Sequence, residues 1–139
     1  MIAALLHSPL HGVLSRYVLL LTYRGRKTGR RYTLPLSYVA LGEHLYCCTR
    51  PAESRWWRNL CAPAAVTIRR RGASLEAIAQ RVDPQSSEAR DALRRFIEVN
   101  PRTGALLYHV QSSGGRPSED DLRREVERSV VVRIAPAVA

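Results

Sequence analysis

Eight consecutive residues, Arg24-Gly25-Arg26-Lys27-Thr28-Gly29-Arg30-Arg31, place four arginines and a lysine around two glycines. Guanidinium forks match phosphate or carboxylate oxygens in pairs, glycine lets backbone N–H groups approach an anion, and the Thr28 hydroxyl adds a donor. The chemistry on offer is anion binding. It is not that of a P-loop, because G-x-x-x-x-G-K-[ST] is absent. A solvated basic hairpin tip would have the same composition.

Two further stretches flank this run. In Tyr32-Thr33-Leu34-Pro35-Leu36 a proline interrupts a well-patterned strand and removes one ladder hydrogen bond. That is the mark of an edge strand, a bulge, or backbone left free for a flat ligand. In Arg50-Pro51-Ala52-Glu53-Ser54-Arg55-Trp56-Trp57-Arg58-Asn59-Leu60, adjacent tryptophans on a helix would point about 100° apart. One is expected to pack inward and the other to line a pocket or an interface, with Asn59 as a helix-end cap. Arg50, Arg55 and Arg58 either extend an anion site or stay solvated.

Other chemistries lack their residues. His7, His11, His44 and His109 are scattered, and neither H-E-x-x-H nor G-x-G-x-x-G occurs. Residues 1–75 hold 12 basic groups against Glu43 and Glu53, so paired-carboxylate acid/base work is not expected there. Residues 76–139 balance 10 against 10, which puts the whole net charge of +10 in the first half and points to an anionic ligand there. Cys47, Cys48 and Cys61 form no C-x-x-C pair, so neither a metal site nor a disulfide framework is expected. If the protein is an enzyme, a cofactor supplies the reactivity.

The elements that must position these residues follow from the hydrophobic pattern. Ser8-Pro9, followed by Leu10, Val13, Leu14 and Tyr17, predicts a short N-terminal helix over residues 1–17. VLLLTY (18–23) and the alternating YTLPLSYV (32–39) predict two paired strands joined by the basic run. A third strand is expected at Leu45–Thr49, a short helix capped by Ser54 at 54–61, and a hairpin of 66–71 and 75–82 turning at Gly72-Ala73. Ala89, Ala92, Leu93, Phe96 and Ile97 recur at helical spacing after Asp83-Pro84-Gln85-Ser86-Ser87. QSSGGRP (111–117) reads as a flexible loop, Ser118-x-x-Asp121 as the start of a charged helix, and Val130–Ile134 as a closing strand. The expectation is a single α+β domain over 1–139: a small barrel of about six mostly antiparallel strands, with the barrel hairpins at 18–82, helical segments at 83–128 and the last strand at 129–135.

At 139 residues, with 45% hydrophobic and 24% charged residues, the composition is that of an ordinary globular domain. No apolar run approaches the roughly 20 residues of a membrane span. MIAALLHSPLHG lacks the charged n-region of a signal peptide, so the cytoplasm is the expected location, with contact between this apolar segment and a membrane surface left open.

The order of these motifs resembles the deazaflavin-dependent nitroreductase family, split β-barrels related to flavin-binding pyridoxamine-phosphate-oxidase-like proteins. G-R-K-T-G (25–29), T-x-P-L (33–36) and W-[WY]-x-N-L (56–60) carry the resemblance, which covers residues 8–82. It implies coenzyme F-420, an 8-hydroxy-5-deazaflavin with a phospholactyl-oligoglutamate tail, and hydride transfer to quinones, nitroaromatics or similar small-molecule acceptors. It further implies that Arg26, Lys27, Thr28, Gly29, Arg30 and Arg31 meet the tail, and that Thr33, Leu34 and Pro35 run beside the ring. Thr49 and Arg50 would stand near the ring or phosphate, and Trp57 and Asn59 would complete the cofactor site. Tyr32, Tyr38, Trp56 and Tyr108 are the candidates for the acceptor pocket, with no protein acid or base required. The resemblance also implies a homodimer. FMN on the same barrel is the alternative cofactor. The rival of another class is a basic nucleic-acid-binding barrel, disfavoured because residues 24–31 hold no aromatic for base stacking. The sequence departs from the family in the short segment between Thr49 and Trp56 and in residues 101–128.

Overall fold

The computed structural model describes residues 18–114 and 116–137. The helix expected over 1–17 lies outside them. β1 (Val18–Arg24) sends Leu19, Leu21 and Tyr23 to one face, where all three are buried. It turns through the basic run into β2 (Arg31–Ser37), antiparallel from Val18↔Ser37 to Arg24↔Arg31. β3 (Val39–Leu41) and β4 (His44–Thr49) follow, then a 3₁₀ helix over Trp56–Leu60. β5 (Ala64–Arg70) and β6 (Ala73–Arg81) form the next hairpin. α1 (Ser87–Val99), α2 (Pro101–Leu107) and α3 (Glu119–Val126) intervene before the last long strand, β9 (Val130–Pro136). Two-residue strands β7 (Ser112–Ser113) and β8 (Arg116–Pro117) pair within the 111–117 stretch, which was expected to be an unpaired loop.

Among the described residues seven strands make one sheet in the order β2-β1-β5-β6-β9-β4-β3, each neighbour antiparallel. Leu21, Ile68, Ala79, Ile134 and Cys47, one from each of the five central strands, fall in a single buried cluster, so the sheet must curl around them into a split barrel. β2 and β3 are its two edges. The expected single strand over 32–39 is therefore corrected to two, because the chain leaves one edge at Tyr38 and joins the other at Val39. Tyr38 is buried where it crosses. Alternation runs straight through this break, so the pattern alone could not reveal it.

A second core lies on the other side of β3, β4 and β9. There Val39, Tyr46 and Val131 meet Ala92, Leu93, Phe96 and Ile97 of α1 and Leu122 and Val126 of α3. Burial on both faces explains the uninterrupted Val130-Val131-Val132, and why Cys47 faces the barrel while Cys48 packs on the helices. The Ser86 hydroxyl caps α1 by accepting the Ala89 N–H at 3.1 Å, and Ser118 caps α3 from the Asp121 N–H at 3.3 Å. Glu88, in the first turn of α1, ties helix to sheet: Arg133 Nη1 donates to both its carboxylate oxygens at 2.9 Å, and the Tyr46 hydroxyl donates at 2.7 Å. Burial pushes the Tyr46 phenol up to about 12, with that hydrogen bond adding to it.

Candidate functional site

The basic run is a folded loop. Gly25 N–H donates to the Arg30 carbonyl and Gly29 N–H to the Gly25 carbonyl, each at 2.8 Å, while the Thr28 hydroxyl accepts the Arg30 N–H at 3.2 Å. Gly25 sits at a close approach, since a Cβ there would lie 3.0 Å from the Tyr32 ring and 3.3 Å from Thr28 Oγ1, so that the ring would have to give way. Beneath the loop, Tyr23 and Tyr32 stack across the hairpin with centroids 5.6 Å apart. Burial, then the neighbouring Tyr32, raises the Tyr23 phenol above its ordinary range.

The opposite wall is the expected short helix, a 3₁₀ helix over Trp56–Leu60 that begins after Arg55 and lacks the expected Ser54 cap. The Ser54 hydroxyl instead meets Thr49 Oγ1 at 3.0 Å, and the Ser54 carbonyl accepts the Trp57 indole N–H at 3.0 Å. Both tryptophans are buried, and Trp56 also lines the cleft, the pocket-lining place expected of one of the pair. The short helix lies over the end of the curled sheet, touching β6 and β9, and so can hide two adjacent side chains at once. Trp56 still borders the cleft, while Trp57 is flanked by the guanidinium groups of Arg81 at 4.9 Å and Arg58 at 5.6 Å from its ring centre. Asn59 joins the two walls: its Oδ1 accepts the Arg26 N–H at 2.9 Å, and its Nδ2 donates to the Trp56 carbonyl at 3.1 Å. It is a latch between the walls and not simply the end of a helix.

Between these walls opens a cleft of about 340 Å³. Arg26, Lys27, Arg55 and Arg58 supply four cations to its lining and no carboxylate is among the lining residues. Tyr23, Tyr32 and Trp56 supply flat apolar surface, and Thr28 and Asn59 polar side chains. The structure thus gathers Arg26, Lys27, Thr28, Tyr32, Arg55, Trp56, Arg58 and Asn59 from the residues singled out in the sequence. Tyr23 was missed; its signal was its position as the last inward residue of β1, directly across from Tyr32.

The other candidates lie elsewhere. Arg30 is exposed, and Arg31 lines a 140 Å³ hollow with Arg24, Thr22, Thr67 and Glu76 on the outside of the sheet. Thr33 and Pro35 face that outer side, where Thr33 Oγ1 meets Thr22 Oγ1 at 2.8 Å, whereas Leu34 packs on the barrel core. Among the described residues the backbone of β2 pairs with β1 alone, which leaves its other edge outside their ladder. Tyr38 stands at the far end of β2, and Tyr108 is buried against Phe96 in the helical core, its phenol raised chiefly by burial. Arg50 is half-buried near Tyr108, where its charge offsets part of that rise. Among the described residues no cluster of three or more His, Cys, Asp or Glu side chains could hold a metal.

A split barrel carrying a cationic cleft lined by aromatic rings defines a small barrel suited to an anionic ligand with a flat ring, and comparisons with known proteins place the chain in a family. The profile of the "F420H(2)-dependent quinone reductase" family matches residues 8–111, and the chain belongs to that family. It is by membership an oxidoreductase of the F-420-dependent kind. The match runs past Val82, where the motif resemblance ends, into α1 and α2. Among solved structures, an F420-H2 dependent reductase is 18% identical, covers 86% of this chain and 93% of its own, and superposes with a TM-score of 0.59. A conserved hypothetical protein from Mycobacterium tuberculosis is 19% identical over 92% of this chain and 78% of its own, at 0.61. A putative pyridoxamine 5'-phosphate oxidase from Listeria innocua is 12% identical over 96% and 94%, at 0.53. These establish the fold. No curated protein matches the chain in sequence.

Proposed function

We propose that this protein binds coenzyme F-420 with its cationic cleft and serves hydride transfer to a quinone, a nitroaromatic or a similar activated acceptor. The observation that carries the reading is the cleft lining: four cations without a carboxylate, beside stacked aromatic rings. A tail bearing one phosphate and several carboxylates is the kind of ligand such a lining favours, and Gly25 keeps the loop close enough for backbone approach. Arg26, Lys27, Arg55 and Arg58 would hold the tail, with Thr28 as a further donor, and Tyr32 and Trp56 would border the ring and the acceptor. The reduced coenzyme, when bound, supplies the hydride. The chain's part is to orient the two reactants and exclude water, with the cations of the cleft offsetting negative charge that builds on the acceptor. The edge of β2 that no described strand pairs with offers backbone groups for the polar rim of the ring.

A homodimer belongs to the same reading. A solved structure 17% identical to this chain is described as a domain-swapped dimer.

The test is titration of the purified protein with oxidised F-420, followed by its fluorescence, with FMN in parallel, and then a quinone added to the reduced coenzyme. Saturable F-420 binding with quinone-dependent reoxidation supports the proposal. FMN binding alone keeps the fold and changes the cofactor; binding of neither overturns it.

A further inference from the structure

The charge run Arg69-Arg70-Arg71 has no part in the cleft. Arg70 ends β5, and Arg71 with Gly72 forms the two-residue turn into β6, since Arg70 pairs with Ala73. The expected turn at Gly72-Ala73 is thereby shifted back by one residue. Both turn residues have positive φ, 51° at Arg71 and 77° at Gly72, as a type I′ hairpin demands. The turn favours Asn, Asp or Gly at its first position; an arginine there is strained, and the turn itself gives no reason for it.

The strain accompanies a constructed recess. Arg70 Nη1 donates to the Tyr38 hydroxyl at 3.3 Å with its guanidinium 5.6 Å from the Tyr38 ring centre, so the charge is held in place. Arg71 joins it from the turn and Arg95 from α1 around a hollow of about 140 Å³, floored by Val39, Ala40 and Val99. Three arginines from two elements line it, with no carboxylate among the lining residues. Arg95 reaches Glu98 at 3.8 Å, an exposed contact too weak to neutralise the site. Among the described residues neither Arg70 nor Arg71 forms an ion pair. The recess and the coenzyme cleft lie at opposite ends of β2, about 20 Å apart for seven residues of extended chain.

We propose that this recess is a second oxyanion site, separate from the coenzyme cleft, that takes a small phosphorylated or carboxylated molecule. Paired guanidinium forks suit either group, and the apolar floor accepts a short carbon skeleton. A nucleic-acid backbone fits less well, because the aromatic at the site, Tyr38, is buried and offers no ring for stacking.

The test is an NMR titration of the full-length ¹⁵N-labelled protein with inorganic phosphate, and with malonate in a parallel arm, at constant ionic strength. Saturable shifts at the Gly72 and Ala73 amides are expected, and the arm that saturates distinguishes phosphoryl from carboxylate ligands. Arg71→Asn should weaken that response about tenfold, the loss of one charge-assisted contact, while leaving Tm unchanged or higher because asparagine suits the turn. Arg95→Gln, which leaves the turn intact, should weaken it similarly, and shifts at Gly25 and Gly29 should persist in both variants. Absence of saturation in both arms, equal response in wild type and variants, or shifts spread evenly over every arginine-bearing surface would each overturn the proposal.

Discussion

Asn59 and Arg26, 33 residues apart in sequence, are joined at 2.9 Å, the side-chain oxygen of the first accepting the backbone N–H of the second. This hydrogen bond fixes the basic loop to the 3₁₀ helix, and Asn59 completes the link through the Trp56 carbonyl. Removing it frees a loop whose other hydrogen bonds are mostly internal. Asn59→Ala is expected to weaken F-420 binding by about 1–2 kcal/mol, with a smaller effect on stability because the site is partly solvated. Calorimetric titration beside a thermal melt checks this. Unchanged affinity would mean that the loop holds its shape alone.

The cations of the loop are not equivalent. Lys27 lines the cleft, whereas Arg30 is exposed outside it. Lys27→Ala is therefore expected to reduce coenzyme affinity by about 1–3 kcal/mol, the range for charged hydrogen bonds, and Arg30→Ala by much less. The loss should shrink as salt rises, since the contact is electrostatic. Equal losses for the two variants at several salt concentrations would show that general charge and not position governs binding.

What could be read from the sequence depended on how local the cause was. Leu19, Leu21 and Tyr23 alternate within one strand, and Ala89, Leu93 and Phe96 follow one helix, so both elements are visible in a short window. The break at Tyr38 is not, because the inward alternation continues while the chain passes from one sheet edge to the other. The burial of both Trp56 and Trp57 depends on strands β6 and β9, which lie later in the chain. The cleft was legible for the loop, whose charge is local. It was illegible for Tyr23, whose role comes from pairing with Tyr32, and misleading for Tyr108, which contacts the helical core and not the barrel.

Gly25 tests how closely the loop must pack. A methyl group at this position would sit 3.0 Å from Tyr32 Cε2, against a ring already stacked on Tyr23. Gly25→Ala is expected to move Tyr32, change the near-ultraviolet circular dichroism of the tyrosine pair, and lower F-420 affinity by about tenfold, with the fold retained. An unaltered spectrum together with wild-type affinity would show that the loop gives way without consequence, removing the tyrosine stack from the site.

Stability at acid pH should depend on Glu88. Its carboxylate is partly buried, which works against ionisation, but hydrogen bonds from Tyr46 and Arg133 prevail and hold it below the ordinary value of 4.5. A depressed folded-state value means that the unfolded chain takes up the proton first as pH falls. The stabilisation is present above 4.5 and is lost as pH drops through the folded value. Tyr46 acts at the other end of the scale: its raised value of about 12 means that its contribution is complete below 10 and disappears as pH rises toward 12. Glu88→Gln keeps the shape and removes the lower titration, so its Tm should be below wild type at neutral pH and should fall less steeply between about pH 5 and 3. Thermal melts across that range decide the matter, and parallel curves for the two proteins would show that the link from α1 to the sheet contributes nothing through its charge.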